Sequence, residues 1–221
     1  MNHLKMQTSE TFLLSAILSM SGGLQDSYTY CLRGNVFANA QTGNVVLMSQ
    51  HFLTGQWREG LHYLLPLTAF ALGILTAEQI GHKYKEARIH WRQLILMIEA
   101  LILFLVGFIP PAYHMAANIL VSFVCAMQVQ SFRKVHGYGY ASTMCIGNLR
   151  SGTESLSIFL RERDRAFLHK ALHYYGIILV FALGAGLGGI LSGLLGLKTI
   201  WVSCLLLIVG CLMMQRRMSG F

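Results

Sequence analysis

Long stretches with at most one charged side chain recur along the whole sequence of 221 residues. These stretches are Phe12–Leu24, Leu61–Ala77, Gln93–Ile109, Ala112–Met127, Ala171–Leu197 and Thr199–Gln215. A membrane-spanning helix needs about 20 mainly apolar residues. Charged residues make up only 12% of the chain, whereas soluble domains carry about 25%. The sequence therefore predicts an all-α membrane protein with a single transmembrane domain, 1–221.

Two patterns repeat in the same order, roughly half a chain length apart. The pattern H-Y-x6-F-A-L-G occurs at His62–Gly73 and again at His173–Gly184. A Gly-Asn pair at residues 43–44 is matched by another at residues 147–148. Such self-similarity indicates a duplicated unit. Many transporters are built from two such halves, with the binding site between them.

The basic residues decide how many segments cross the membrane. Two less apolar segments, Asn35–Leu53 and Gly137–Leu160, would give eight spans if both crossed completely. The basic loop Lys83–Arg92 would then face outward, against the positive-inside rule. We therefore predict six transmembrane helices plus two re-entrant Gly-Asn hairpins. Of the 17 Lys and Arg residues, this leaves Arg33, Arg58 and Lys198 outside and Arg150 within the second hairpin.

This topology places the N- and C-termini and the loop Arg161–Lys170 in the cytoplasm. The loops His51–Glu59 and Pro110–His114 lie outside. Three spans per half is an odd number, so the second half must insert upside down. We predict two inverted three-span repeats, residues 11–110 and 111–217, whose hairpins enter from opposite faces. Irregular backbone within the hydrocarbon region of the membrane must be buried in protein or line a water-filled cavity.

Each hairpin is expected to carry its Gly-Asn pair at the turn before a half-helix. Glycine permits close approach of backbones, and asparagine can cap the helix that follows. The N–H groups and the positive end of the helix dipole would point to the midplane and attract an anion or the electronegative end of a solute. The alternative is that the asparagines only cap helices and hold the bundle together. The candidate binding residues here are Thr42, Gly43, Asn44, Gly147 and Asn148.

Asp26 in the first span is the costliest residue of the chain to bury, because a carboxylate there costs about 2.5–3.5 kcal/mol. We expect it to face the bundle interior near the hairpins, close to Asn44 or Arg150. It is either a solute ligand or a structural partner. Arg150 and Glu154 share one helix face, where they form a pair or where Arg150 binds an anion.

Two polar residues in other spans complete the candidate set. Gln128 in the fourth span matches the place of Asp26 in the first, and hydrogen bonding between helices is its expected role. Glu99 is expected to reach water or to pair with Arg92.

Several classes of function are disfavoured by the residue pattern. The net charge of +8 does not indicate nucleic-acid binding, since the basic residues lie at the ends of apolar segments. The five cysteines lack C-x-x-C spacing, so neither a disulfide framework nor a zinc site is indicated. G-x-G-x-x-G at Gly184–Gly189 has no preceding strand, and the pairs Gly184/Gly188 and Gly189/Gly193 instead give small-x3-small spacing for tight helix packing. We expect no catalytic residue, no metal, no cofactor and no enzymatic activity.

Four segments together form a recognisable set: G-G-L-Q-D-S-Y, F-A-N-A-Q-T-G-N-V, A-M-Q-V-Q-S-F-R-K and S-T-M-C-I-G-N-L. With these segments the chain resembles the YoaK-type family of bacterial inner-membrane proteins, and the resemblance implies that it lies in a bacterial inner membrane. The resemblance covers nearly the whole chain and implies six spans, but it brings no substrate. Ile146 stands where that family tends to have threonine.

The sequence favours a small-solute transporter or channel, with an anion among the candidate solutes and a midplane site between the repeats. The site residues are Asp26, Thr42, Gly43, Asn44, Gln128, Gly147, Asn148, Arg150 and Glu154. The alternative is a membrane scaffold or assembly factor without transport activity. The partners are the lipid bilayer and a small solute, with self-association left open.

Overall fold

The computed structural model describes residues 11–84, 91–135 and 138–216, and almost all of them are helical. These residues form eight α-helices: α1 Phe12–Leu32, α2 Gln41–Leu53, α3 Trp57–Lys83, α4 Trp91–Val106, α5 His114–Ser131, α6 Cys145–Glu162, α7 Arg165–Leu195 and α8 Ile200–Arg216. Two short strands, β1 Lys134–Val135 and β2 Tyr138–Gly139, pair as an antiparallel ribbon before α6. The predicted all-α class is confirmed, since each of the six apolar stretches coincides with a helix, in chain order α1, α3, α4, α5, α7 and α8.

Local sequence explains where several helices begin and end. Thr11 Oγ1 accepts a hydrogen bond from Leu14 N (3.4 Å) at the start of α1. Asp164 Oδ1 accepts one from Ala166 N (2.8 Å) at the start of α7. Both side chains satisfy N–H groups that have no partner within the helix. At the end of α6, Arg163 adopts a left-handed conformation with φ 57°. The right-handed helix therefore ends there.

The helices pack in matched pairs. α1 packs mainly against α7, and α3 packs mainly against α5. The short α2 lies on α3 as α6 lies on α7, and α4 packs against α8. The main apolar core lies where α1, α4, α5 and α8 meet, with Leu14, Leu103, Val121 and Leu207 fully buried. Each long pair therefore joins a helix from one half of the chain to a helix from the other.

Glycine lets the two long pairs approach closely. A Cβ at Gly184 of α7 would overlap the main-chain oxygen of Met20 in α1, and one at Gly73 of α3 would overlap that of Phe123 in α5. These glycines end the two copies of the repeated F-A-L-G pattern. Gly188 also lies against α1. The predicted close packing at Gly184 and Gly188 is therefore confirmed. The prediction for Gly193 is wrong, because a Cβ there would meet open space.

Contacts at the helix termini define two ends of the bundle. At the first, the Arg33 end, Arg33 donates a hydrogen bond to the main-chain oxygen of Ile109 after α4 (2.8 Å). At the second, the Arg92 end, Arg92 Nε donates to the main-chain oxygen of Ser131 at the end of α5 (2.8 Å). Helices α4 and α5 therefore run in opposite directions between these ends.

The chain between α1 and α3 enters the bundle and returns to the same end. Gly34 lies at the Arg33 end, with its oxygen 3.0 Å from His62 Nε2. Asn39 then reaches the middle of α1, where its Nδ2 donates to the oxygen of Gly22 (3.3 Å). Helix α2 then runs back towards the Arg33 end, where the His51 ring stacks on the Tyr63 ring with the centroids 5.7 Å apart. This segment is the first hairpin.

The chain between α5 and α7 makes the same excursion from the Arg92 end. After the ribbon, Gly139 accepts a hydrogen bond from Tyr174 Oη of α7 (2.8 Å). Thr143 then reaches the middle of α1, where its methyl group lies against Gly22. Helix α6 returns along α7, with Gly152 beside Tyr174. This is the second hairpin, and the two loops meet at Gly22 from opposite ends.

Arg33 directly follows α1, and its side chain is fully buried. Its guanidinium donates to Tyr28 Oη (2.9 and 2.6 Å) and to the main-chain oxygens of Val106 (2.9 Å) and Ile109 (2.8 Å). These oxygens lie at the C-terminus of α4, where unpaired carbonyls and the negative end of the dipole favour a cation. Arg33 therefore caps α4.

Large apolar side chains cover the outer faces of the bundle. Leu75 of α3, Leu101 of α4, Leu187 of α7 and Leu205 of α8 are among those exposed, and a continuous face of this kind requires apolar surroundings. By length and composition, the segments able to cross a membrane among the described residues are Trp57–Lys83, Pro111–Ser131 and Arg165–Gln215, the last containing both α7 and α8. The protein is thus of the helical membrane type, and the count of six spans stays a prediction.

Candidate functional site

A cavity of about 980 Å³ lies between the two hairpin loops, α1, α3 and α7. We call it the central cavity. The first loop and the start of α2 line it with Asn39, Gln41 and Thr42, and the second loop and the start of α6 line it with Thr143, Cys145 and Gly147. Apolar side chains of α3 and α7, including Phe70 and Phe181, form much of the remaining wall. Its size and mixed lining suit a small organic solute.

Asp26 lies in the wall of the central cavity, with only 5% of its surface exposed. Its Oδ1 accepts a hydrogen bond from the main-chain N–H of Asn39 (2.7 Å). The prediction that Asp26 faces the interior near the hairpins is confirmed, but the neighbour it bonds is Asn39 and not Asn44 or Arg150. Among the described residues lining this cavity, Asp26 is the one acidic side chain, and no Lys or Arg lines it.

Two polar oxygens in the same wall have no hydrogen-bond partner among the described residues. They are Asn39 Oδ1 from the first loop and Thr143 Oγ1 from the second. Both residues are buried, with 4% and 6% of their surfaces exposed. A buried polar atom normally has a protein or water partner. These two oxygens are therefore buried hydrogen-bonding groups beside Asp26 that still need a partner.

The Gly-Asn pairs stabilise the loops in a way that differs from the prediction. Asn44 Nδ2 donates a hydrogen bond to the main-chain oxygen of Phe37 (2.7 Å), and Asn44 Oδ1 accepts one from the main-chain N–H of Phe37 (3.3 Å). Asn148 makes the equivalent bonds to Ala141, at 2.7 and 3.4 Å. In both cases the partner lies seven residues earlier. Each asparagine thus holds the loop that precedes its helix.

The predicted helix-capping role of these asparagines is wrong. Helix α2 begins at Gln41 and α6 at Cys145, so the Gly-Asn pairs lie within the first turns and not before them. The first turn of α2 closes earlier, through a bond from Gly43 N to the oxygen of Ala40 (3.1 Å). Neither helix has a side-chain cap. The side chains of Asn44 and Asn148 are consequently free to bond the loops.

Arg150 and Glu154 lie away from the central cavity. Both side chains are exposed on α6 and line neither of the two cavities described here. The predicted pair between them does not form, since the ion pair within the described part of the chain is Arg133–Glu78, at 3.6 Å. Arg150 and Glu154 do not reach the central cavity because their face of α6 points away from the loop that Asn148 contacts.

Gln128 and Glu99 form a second buried polar site in the core. Gln128 Nε2 donates to both carboxylate oxygens of Glu99 (3.0 and 3.2 Å), and Gln25 Nε2 donates to Oε1 (3.1 Å). Gln128 thus bonds between helices, as predicted. The prediction that Glu99 reaches water or pairs with Arg92 is wrong: the Glu99 side chain is fully buried, and Arg92 bonds the end of α5 instead.

A further cavity of about 690 Å³ opens at the second hairpin, towards the Arg92 end. Arg133 and Lys134 line it, together with Asn148. Met144 and Gly147 line both this cavity and the central one. The start of α6 therefore separates the two spaces.

Metal binding finds no support in the described ranges, 11–84, 91–135 and 138–216. They contain no group of three or more His, Cys, Asp or Glu side chains placed to hold a metal ion. His62 bonds the first loop, and His173 packs edge-on against Phe12 with ring centroids 5.2 Å apart.

The sequence analysis did not predict four features of these sites. They are the roles of Asn39, Thr143 and Gln25 and the burial of Glu99. The duplication could have found the first two, because Asn39 and Thr143 occupy equivalent positions ahead of the two Gly-Asn pairs. The contact between Gln25 and Glu99 joins α1 to α4, and no spacing within a single helix predicts it.

Comparison with known proteins places the chain in a family. Residues 14–213 match the family model described as "Protein of unknown function (DUF1275)". The chain is similar to the UPF0700 transmembrane protein YoaK of Bacillus subtilis (strain 168), with 26% identity over 184 residues that cover 78% of this chain and 80% of the relative. No solved structure matches it. Because the family match spans most of the sequence, the YoaK-type resemblance is confirmed, and the chain belongs to the DUF1275 family.

Proposed function

We propose that this protein is a small-solute transporter whose binding site is the central cavity. The observation that carries the proposal is the grouping of Asp26 with two unpartnered oxygens, Asn39 Oδ1 and Thr143 Oγ1, in one cavity wall. One oxygen comes from each hairpin, so a solute bound there contacts both halves of the molecule. A site at the junction of two repeats is typical of secondary transporters.

The inverted-repeat topology is part of this proposal. It is supported by the matched pairing of α1 with α7 and α5 with α3, and by the identical bonds that Asn44 and Asn148 make. The basic residues support the predicted orientation: Arg133, Lys134 and the loop after α6 lie at the Arg92 end, which we assign to the cytoplasm. The Arg33 end then faces outward, and six helices span the membrane. The predicted loop Lys83–Arg92 lies partly outside the described residues.

The cavity chemistry favours a neutral or cationic solute over the predicted anion. Asp26 already occupies the main-chain N–H of Asn39, so that group is not free for an anion. Arg150 does not line the cavity. The groups available beside the apolar wall are the Asp26 carboxyl, the Asn39 amide oxygen and the Thr143 hydroxyl, and the first two of these are suited to accept hydrogen bonds. The proposed solute is therefore a small molecule with N–H or O–H donors on an apolar body, such as an amine.

The remaining features of the proposal follow from the topology. The chain is a single transmembrane domain of two repeats, residues 11–110 and 111–217, in the cell membrane with both termini in the cytoplasm. Its partners are lipid and the solute, and it acts without enzymatic chemistry, cofactor or nucleic acid.

Substitution of Asp26 by asparagine tests the transport proposal. A charge-assisted hydrogen bond contributes about 1.5–3 kcal/mol, so Asp26→Asn should weaken binding of an amine roughly ten- to a hundredfold. A thermal-shift screen of the purified protein against small amines, neutral metabolites and anions identifies the solute class, because a bound solute stabilises the native state. Uptake into liposomes containing only this protein then measures transport.

Glu59→Gln is the matched control, since Glu59 is an exposed carboxylate at the start of α3. It should leave both binding and uptake unchanged. Uptake that survives Asp26→Asn at full rate per folded molecule would reject the site. An intact, folded protein without flux for any solute in the screen would favour the scaffold alternative.

A further inference from the structure

Glu99 lies in a part of the core that the central cavity does not reach. Its side chain is fully buried on α4, and it lines neither cavity. A carboxylate in the middle of a membrane bundle is costly, and such residues commonly take part in ion pathways or proton relays. The position of Glu99 therefore requires an explanation beyond the solute site.

The surroundings of Glu99 offer hydrogen bonds but no positive charge. Helix α1 contributes Asp26 one residue beyond Gln25, α5 contributes Cys125, and α8 contributes Cys204, whose Sγ faces the oxygen of Ala100 (3.4 Å). Helix α3 meets α4 and α5 in an apolar cluster that includes Ala77 and Ile80. On α4 itself, Arg92 bonds the end of α5. Within the described ranges Glu99 has no ion-pair partner.

Two opposing effects therefore act on the Glu99 carboxyl group. Burial without a nearby cation favours the protonated form. Three hydrogen bonds from the amides of Gln25 and Gln128 favour the ionised form, since an ionised carboxylate accepts hydrogen bonds and donates none. A residue under this opposition can both take up and release a proton.

The same glutamines connect Glu99 to the rest of the site. Gln128 Oε1 accepts a hydrogen bond from Ser142 Oγ in the second hairpin loop (3.2 Å). Gln25 Oε1 accepts one from Cys125 Sγ (2.6 Å). A protonated Glu99 must donate its O–H to an acceptor, and the amide oxygens of these glutamines are the ones at hand. One amide must turn over to present its oxygen, which removes that oxygen from Ser142 or Cys125.

We propose that Glu99 is a proton-binding site and that proton uptake there turns the Gln128 amide and rearranges Ser142 in the second hairpin loop. The step moves one proton onto a carboxylate oxygen and exchanges hydrogen bonds, with no other bond made or broken. Ser142 directly precedes Thr143 of the central cavity, so the proton would act on the solute site. The proton site can exist without solute transport, and it is tested without a solute.

Infrared difference spectra of the purified protein across a pH range provide the first test. A carboxylic acid C=O band should gain and lose intensity with pH, and Glu99→Gln should abolish it. Asp26→Asn should retain the band. Absence of the band, or its loss in Asp26→Asn but not in Glu99→Gln, would overturn the proposal.

The labelling rate of a cysteine at Ile146 provides the second test, because Ile146 is exposed at the start of α6. Cys31, Cys145 and Cys211 are replaced by serine, while the buried Cys125 and Cys204 are kept. The ratio of this rate to the rate of a cysteine at exposed Leu53, measured at the same pH to correct for ionisation of the thiol, should change several-fold with pH in this background. Ser142→Ala should retain the infrared band and lose the change in this ratio. If Glu99→Gln does not fold, a change in the ratio that persists in Ser142→Ala contradicts the proposal.

Discussion

Asn44 and Asn148 close their loops through the same pair of main-chain bonds, although the loops differ in sequence. Each amide donates to a carbonyl at 2.7 Å and accepts from the N–H of the same residue at 3.3 or 3.4 Å. An amide side chain suits this task because it offers a donor and an acceptor side by side. The asparagine side chains thus supply hydrogen-bond partners for main-chain N–H and C=O groups of an irregular segment within the bundle.

Replacing either asparagine by alanine should therefore destabilise the protein to a similar extent. Each change leaves a partly buried main-chain carbonyl unpaired, at a cost of up to about 1–3 kcal/mol. The measurement is thermal unfolding in detergent. Ser49→Ala on α2 and Ser157→Ala on α6 are controls on exposed faces of the same helices and should change little. A large effect of Asn44→Ala with none for Asn148→Ala would contradict the equivalence of the two loops.

Single residues also mark the limit of sequence reasoning. The burial of Asp26 was predictable, since a short carboxylate deep in a span cannot reach water. Glu99 was misassigned because its bonds come from Gln25 and Gln128 on other helices. The bonds from Arg33 to the end of α4 were not predictable, because these acceptors are distant in sequence.

At the scale of helices, glycine sets how closely the two halves interlock. Gly73 and Gly184 meet the main-chain oxygens of α5 and α1, whereas Gly186 and Gly193 have open space where a Cβ would lie. The pattern of apolar stretches was sufficient to predict the long helices. The starts of α2 and α6 were not predictable from the Gly-Asn pairs, because main-chain bonds close the first turns before them.

Alanine substitution at these glycines should separate packing from helix propensity. Gly73→Ala and Gly184→Ala place a methyl group against a main-chain carbonyl, and overpacking of this kind costs about 1–3 kcal/mol. Gly186→Ala and Gly193→Ala should be neutral or slightly stabilising, because alanine favours a helix by about 1 kcal/mol over glycine. Unfolding temperature and yield of folded protein give the readout. Equal effects at all four positions would argue against close packing of α1 on α7 and α3 on α5.

At the scale of the whole molecule, two loops reach Gly22 from opposite ends of the bundle and enclose the central cavity. This arrangement supports a solute site that both halves share, with Asp26 in its wall. It also requires each hairpin to begin and end on one face of the membrane. A segment that crossed completely would begin and end on opposite faces.

Side-specific labelling of single cysteines measures this requirement directly. Each cysteine is placed in a background that lacks the other native cysteines and is treated with an impermeant reagent in intact cells. The first hairpin is bracketed by the exposed native Cys31 and by Leu53→Cys, and the second by Lys134→Cys and Glu162→Cys. We expect the first pair to react from outside and the second pair to react only from the cytoplasmic side. If the two members of either pair react from opposite faces, that segment spans the membrane, and the account of two re-entrant loops around a shared cavity is wrong.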